Sequence, residues 1–170
     1  MVADFNKQRA LVQKMVKTSF QHAWAYRIEI EGQPSDFEIF VKDISYGPVE
    51  IGTNPIKVGV NNLTFPNSVE PVAISMTVRD HEDERIYKWL NDWASKVVNG
   101  DGTVNPPLHP QVGYLKKWRR YQLVHGESGG FRENLSREWS VYPTQMGDIA
   151  ESYSEHGLLE FPISFVQFRA

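Results

Sequence analysis

The sequence predicts a mainly β (α+β) domain: a β-sandwich or barrel with one flanking α-helix at about 80–98 and a long extended arm at about 45–70. Three observations predict it. Several short runs alternate apolar and polar residues, the period of half-buried strands. One interior stretch alone switches to a helical stripe. Strands and helices do not alternate along the chain, as they would around a parallel sheet.

Residues 1–22 read as an N-terminal arm or helix, in which Leu11, Val12, Met15 and Val16 share one helical face, and residues 23–170 as a single domain. Trp24, Tyr26, Ile28 and Ile30 then alternate with Ala25, Arg27, Glu29 and Glu31. After turn residues Gly32–Asp36 comes a second run, with Phe37, Ile39 and Val41 on one side, so the two runs are expected to form a hairpin. Residues 45–70 are rich in Gly, Pro and Asn yet carry Val49, Ile51, Ile56, Val58, Val60, Leu63 and Phe65. Loops longer than about 12–15 residues are uncommon in compact domains. This stretch is therefore expected to be an extended arm or hairpin whose apolar side chains need a surface to cover.

Val72, Ile74, Met76 and Val78 mark the clearest strand. Asp80 follows as the expected N-cap of a helix, with Asp83 and Glu84 in or near its first turn. Ile86, Trp89, Leu90, Trp93 and Val97 form its apolar stripe, and Asn99-Gly100-Asp101-Gly102 ends it. Further strands are expected at 114–125, 135–142 and 158–168. Pro162 cannot donate to a ladder, which predicts an edge or a bulge in the last of these.

Composition sets the remaining bounds. A length of 170 residues with 41% hydrophobic and 12% aromatic content suits one globular core. The absence of cysteine excludes disulfides, thiolate metal sites and a cysteine nucleophile. Lys7, Arg9, Gln13, Lys14 and Lys17 interrupt every apolar run near the N-terminus, so no secretory signal is expected, and no stretch is long enough to span a membrane. A formal net charge of −3 argues against general nucleic-acid affinity.

Chemistry-bearing patterns are few. Gly126-Glu127-Ser128-Gly129-Gly130 is similar to the nucleophile segment of chymotrypsin-like serine proteases, which makes a serine hydrolase using Ser128 a remote alternative. It runs into polar Arg132, Glu133 and Asn134, which favours a hairpin tip. His22, His81, His109, His125 and His156 show no helical zinc spacing, so no metal or cofactor is expected. Lys116, Lys117, Arg119 and Arg120 surround Trp118, as a single-strand binder would require. On a strand, however, Lys116 and Arg120 fall on the side of Trp118, and Lys117 and Arg119 on that of Tyr121, which divides the charge.

Four segments, in order, carry a family resemblance. They are the opening strand Ala25–Ile30; the arm from Val41 to Phe65 with Pro48, Val49, Glu50 and Ile51; the unit Ala73–Asp80 running into Tyr87-Lys88-Trp89-Leu90-Asn91-Asp92-Trp93; and Val141-Tyr142-Pro143-Thr144-Gln145-Met146-Gly147-Asp148-Ile149 before the strand Leu158–Phe168. From about Phe20 onward the chain resembles the tail tube proteins of contractile-tailed bacteriophages, which are related to the tubes of phage-derived contractile injection systems.

The resemblance implies a tail-tube β-barrel and a non-enzymatic role in the virion tail, assembled in the host cytoplasm. Copies would form hexameric rings that stack helically around a channel through which DNA passes without specific binding. Sheath, baseplate and tail-terminator proteins would be partners, and no membrane is implied. It points to Tyr46, Pro48, Val49, Ile51, Ile56, Val58, Leu63 and Phe65 as a subunit or ring–ring interface, and to Glu29, Glu31 and Glu38 as channel-facing candidates. The helix-like N-terminus and the 126–130 tip depart from the family. They leave open a repeating tube subunit, a baseplate-proximal ring that initiates the tube, or the tube of an injection or secretion system.

Overall fold

Alternating strands dominate the computed structural model, which describes residues 9–10, 12–16, 23–125, 130–147, 149 and 158–169. The described residues before Ala23 are helical. The elements that follow are β1 (Tyr26–Ile30), a single helical turn α1 (Phe37–Phe40), β2 (Val41–Tyr46), β3 (Ile51–Val58), β4 (Asn61–Val69), β5 (Ala73–Arg79), α2 (Arg85–Val97), β6 (Lys116–His125), β7 (Phe131–Met146) and β8 (Glu160–Gln167). Six strands form one antiparallel sheet in the order β1-β6-β7-β8-β5-β2, while β3 and β4 pair only with each other.

The sheet curls until its two ends approach. Tyr46 on the last strand of that order stands edge-on to Trp118 and Trp139, at ring distances of 5.9 and 5.5 Å, on the second and third strands from the opposite end. Ile28, Ile30, Ile74, Met76, Val78, Trp118, Val141, Phe161, Ile163 and Phe165 line the enclosed face. The α2 helix covers that face with Ile86, Leu90 and Trp93. Trp93 stacks on Phe165 at 5.3 Å, and its indole N–H donates to the Tyr114 carbonyl at 2.6 Å. The expected barrel with one covering helix is present.

The expected hairpin between the first two runs is not formed. Residues 37–40 coil into α1, which buries Phe37 against Trp89 at 5.4 Å and leaves Ile39 exposed, so the apparent alternation there is not a strand face. The first strand, β1, pairs with β6, and β2 pairs with β5, at opposite ends of the sheet.

The helix starts later than expected, at Arg85. Asp80 serves it from outside: its two carboxylate oxygens accept the Ile86 and Tyr87 N–H groups at 3.0 and 3.1 Å. These are donors that the first helical turn cannot satisfy internally. Asp83 turns to Arg85 instead, and that hydrogen-bonded guanidinium holds its carboxyl down to about 2.

Pro162 does not mark an edge, because β8 lies between β7 and β5. The Pro162 carbonyl accepts the Gly147 N–H at 2.7 Å, just beyond the end of β7. The ring nitrogen faces the same side and cannot return the second bond of that pair, which falls at the very end of the ladder. The irregularity falls on the partner strand, between Pro143 and Gln145.

Candidate functional site

The arm at 45–70 is a true β-hairpin, with β3 and β4 in register from Ile51↔Val69 to Val58↔Asn61. It turns on Gly59 and Val60. Positive φ at Gly59 (64°), with none at Val60, is the signature of a type II′ turn, which matches the twist of paired strands. At its base the Glu70 N–H donates to the Glu50 carbonyl at 2.8 Å, and Arg169 Nη1 donates to the Val69 carbonyl at 3.0 Å.

Register sorts the apolar residues. The pairs Ile56↔Leu63 and Asn54↔Phe65 fall on one face together with Val58. Ile51 lies on the other face by alternation, and Asn67, left without a partner by a bulge opposite Gly52 and Thr53, brings Val69 to that face as well. Ile51, Ile56, Val58, Leu63, Phe65 and Val69 are each about half exposed, and Val60 at the tip is 98% exposed. None of them belongs to the core cluster.

The remaining expected interface residues lie elsewhere. Tyr46 is half-buried within its own domain against Trp118 and Trp139. Pro48 and Val49 sit in the connection to the hairpin, both exposed. The hairpin therefore brings together five of the eight, and Val60 and Val69 join them.

The acidic candidates are engaged with their own chain. Glu29 accepts from Arg119 Nη1 at 3.1 Å, and the same guanidinium donates to Glu138 at 2.8 Å. Arg27 donates to Glu38 at 2.8 Å and to Glu133 at 2.9 Å, and these carboxylates raise its pKa. Glu31 accepts the Lys117 N–H at 3.2 Å.

Basic residues of β6 divide between the faces as their alternation predicts. Lys116 lies over the Trp89 and Trp93 rings at 5.1 and 4.8 Å, where burial lowers its pKa, and Arg120 lies over Tyr26 at 5.9 Å. Arg119 and Lys117 face outward to Glu138. Residues 126–129, including Ser128, lie outside the described residues. Among the described residues no three His, Cys, Asp or Glu side chains gather as a metal site, and no helix is long and apolar enough to cross a membrane.

A second feature had no sequence signal of its own. Where the ends of the sheet approach, β1 and β2 are not paired with each other, and a cavity of about 700 Å³ opens between them. Trp24, Tyr26, Val41 and Leu123 give it apolar walls. Phe131 and Leu135 add exposed apolar surface nearby, Phe131 standing edge-on to Trp24 at 5.9 Å. Spacing in one sequence cannot reveal this cleft, because it depends on β1 pairing with a strand about 90 residues away.

No family model matches the sequence, and no curated protein does. Solved structures do match in shape. A chain of the PVC sheath–tube complex of an extracellular contractile injection system, in the extended state, has a TM-score of 0.59 at 12% identity, over 92% of this chain and 93% of that one. A chain of the PVC sheath/tube terminator gives 0.57 at 13% identity, over 89% and 95%. A chain of the anti-feeding prophage tube-terminating cap gives 0.58 at 11% identity, over 89% of each. At these identities the likeness is one of fold: the chain shares, over nearly its whole length, the β-barrel of chains found in contractile sheath–tube and terminator assemblies.

Proposed function

We propose that this protein is a structural, non-catalytic subunit of a contractile-tail tube. In this reading six copies form a ring, rings stack helically around a channel, and DNA passes through without specific binding. Sheath, baseplate and terminator proteins complete the tail, which is assembled in the host cytoplasm. One observation carries the reading. The β3–β4 hairpin projects apolar side chains that stay about half exposed and join none of the described core. Exposed apolar clusters of this kind mark interaction surfaces. The unpaired edges of β1 and β2 add hydrogen-bonding groups that neighbours can satisfy. A net charge of −3 suits a channel that lets a polyanion slide.

A second reading is favoured by the fold neighbours, which come from injection systems and include terminators. Under it the chain is the tube of such a device, or a single specialised ring. Negative-stain imaging of the purified protein tests the class, with six-fold rings or stacked rings as the expected result. Strictly monomeric protein at every concentration, together with its absence from rings in the assembled particle, overturns it. Copy number in the intact particle separates a repeating tube, with many sixes, from a single ring, with six.

A further inference from the structure

The cleft between β1 and β2 and the hairpin β3–β4 sit at opposite ends of one strand. Val41, Lys42 and Asp43, at the start of β2, line the cleft. The same strand ends at Tyr46, and the hairpin begins at Ile51. At about 3.4 Å per residue, the three residues Ile44–Tyr46 set the cleft-lining start of β2 about 10 Å from its end.

We propose that the cleft receives the hairpin tip of a second copy of this chain. The inference rests on the self-assembly reading above and deepens it by naming the receiving surface. Three properties match. The cavity of about 700 Å³ falls within the range of about 300–1,000 Å³ that holds a compact ligand. The tip would bring Val58 and the fully exposed Val60 to the walls formed by Trp24, Tyr26 and Leu123.

Charge gives the second match. Arg27 and Lys42 stand against Glu38, Asp43 and Glu133 in the cleft, two bases against three acids, a balance of −1. Lys57 is the one charged residue in 51–69, a balance of +1. Arg27 is committed to Glu38 and Glu133, and Lys42 to Glu160, whereas Asp43 has no ion pair among the described residues. Lys57 likewise has none there, and it lies on the face opposite Ile56 and Val58. A tip seated in the cleft can therefore set its apolar face on the β1 wall and Lys57 beside Asp43 on the β2 wall.

Direction is the third. Hairpin and cleft are different patches of one chain, so a heterologous contact between them closes into a ring or continues as a stack.

The absence of cysteine makes the test direct. Lys57→Cys protein is mixed with size-tagged Asp43→Cys protein under assembly conditions and treated with a short bismaleimide, which bonds two thiols without an oxidant. The expected product contains one chain of each kind. Lys57→Asp and Asp43→Lys each raise the assembly concentration several-fold, and the double variant returns it toward the wild-type value. Oligomers that form without the mixed product, or reversals that the double variant does not repair, overturn this docking and leave the tube reading standing. Monomers at every concentration, together with absence from rings in the assembled particle, overturn both.

Discussion

Replacing Phe65 with serine separates assembly from folding. Phe65 lies in β4, opposite Asn54 and beside Leu63, with 49% of its surface exposed. An aromatic side chain presents on the order of 200 Å², so about 100 Å² of Phe65 stays in contact with water in the isolated chain. Covering that area on a neighbour is worth about 2.5 kcal/mol at about 25 cal/mol per Å². Since about 1.4 kcal/mol is tenfold in an equilibrium constant, losing one such contact per subunit raises the assembly concentration about 60-fold. The monomer loses little, within about 0.5 kcal/mol, because Phe65 packs on no core residue. Sedimentation velocity across a concentration series reads assembly, and urea denaturation followed by circular dichroism reads the fold. The expected result is an unchanged denaturation midpoint with a displaced assembly threshold. An unchanged threshold refutes the interface role of this face. A lowered midpoint refutes the separation of the hairpin from the core.

Three further predictions follow from the same geometry. Trp93→Phe keeps the ring against Phe165 but strands the buried Tyr114 carbonyl, at a cost of about 2 kcal/mol, or about 4–8 °C in Tm for a chain of this length; calorimetry reads it, and an unchanged Tm shows that the bond contributes nothing. Glu160 bonds Lys42 at 2.7 Å and Arg79 at 3.0 Å, which lowers its pKa, so its stabilising contribution is present above the unfolded carboxylate value and is lost as pH falls through the lower folded one. Glu160→Gln is therefore expected to shrink the Tm difference between neutral and strongly acidic pH; an undiminished difference removes this cluster from the acid response. Gly59→Val forces a branched residue to φ near 64°, a strain of about 1–2 kcal/mol confined to the hairpin. Amide exchange across 51–69 accelerates while the global Tm holds, and slowed or unchanged exchange contradicts the turn assignment.

Local patterns carried the reading of the sequence as far as they physically could. The β5 alternation and the α2 stripe were legible because each is decided by residues within a few positions of one another, and both put their apolar side on the one core. The hairpin was legible as an apolar segment without a surface to cover. What failed was non-local or competitive. Phe37 and Ile39 have strand spacing, but burying Phe37 under Trp89 stabilises a helical turn that spacing alone does not encode. Pairing of β1 with β6 instead of β2 is a choice among distant strands. The extra residue Asn67, opposite Gly52–Thr53, transfers Val69 to the face opposite Leu63 and Phe65, which a count of alternating positions cannot foresee. The channel candidates were chosen by charge, and the cross-strand arginines that engage Glu29 and Glu38 come from sheet pairing and the α1 turn.

The hairpin makes folding and assembly hard to treat as separate events. A lone two-stranded hairpin in water is marginal at best, and this one carries Ile56, Val58, Leu63 and Phe65 on one face, each about half exposed and outside the described core. Its own packing does not offset the conformational entropy of ordering nineteen residues from Ile51 to Val69, at about 1–2 kcal/mol for each residue's backbone. Cross-strand hydrogen bonds, the Gly59 turn and the ties at Glu50 and Arg169 define its register, and a surface on a neighbour supplies the missing burial. Under the proposed function, the same free energy that orders the hairpin also joins one subunit to the next. A segment only marginally ordered before contact makes the receiving surface on a neighbour, under that function, part of what orders it.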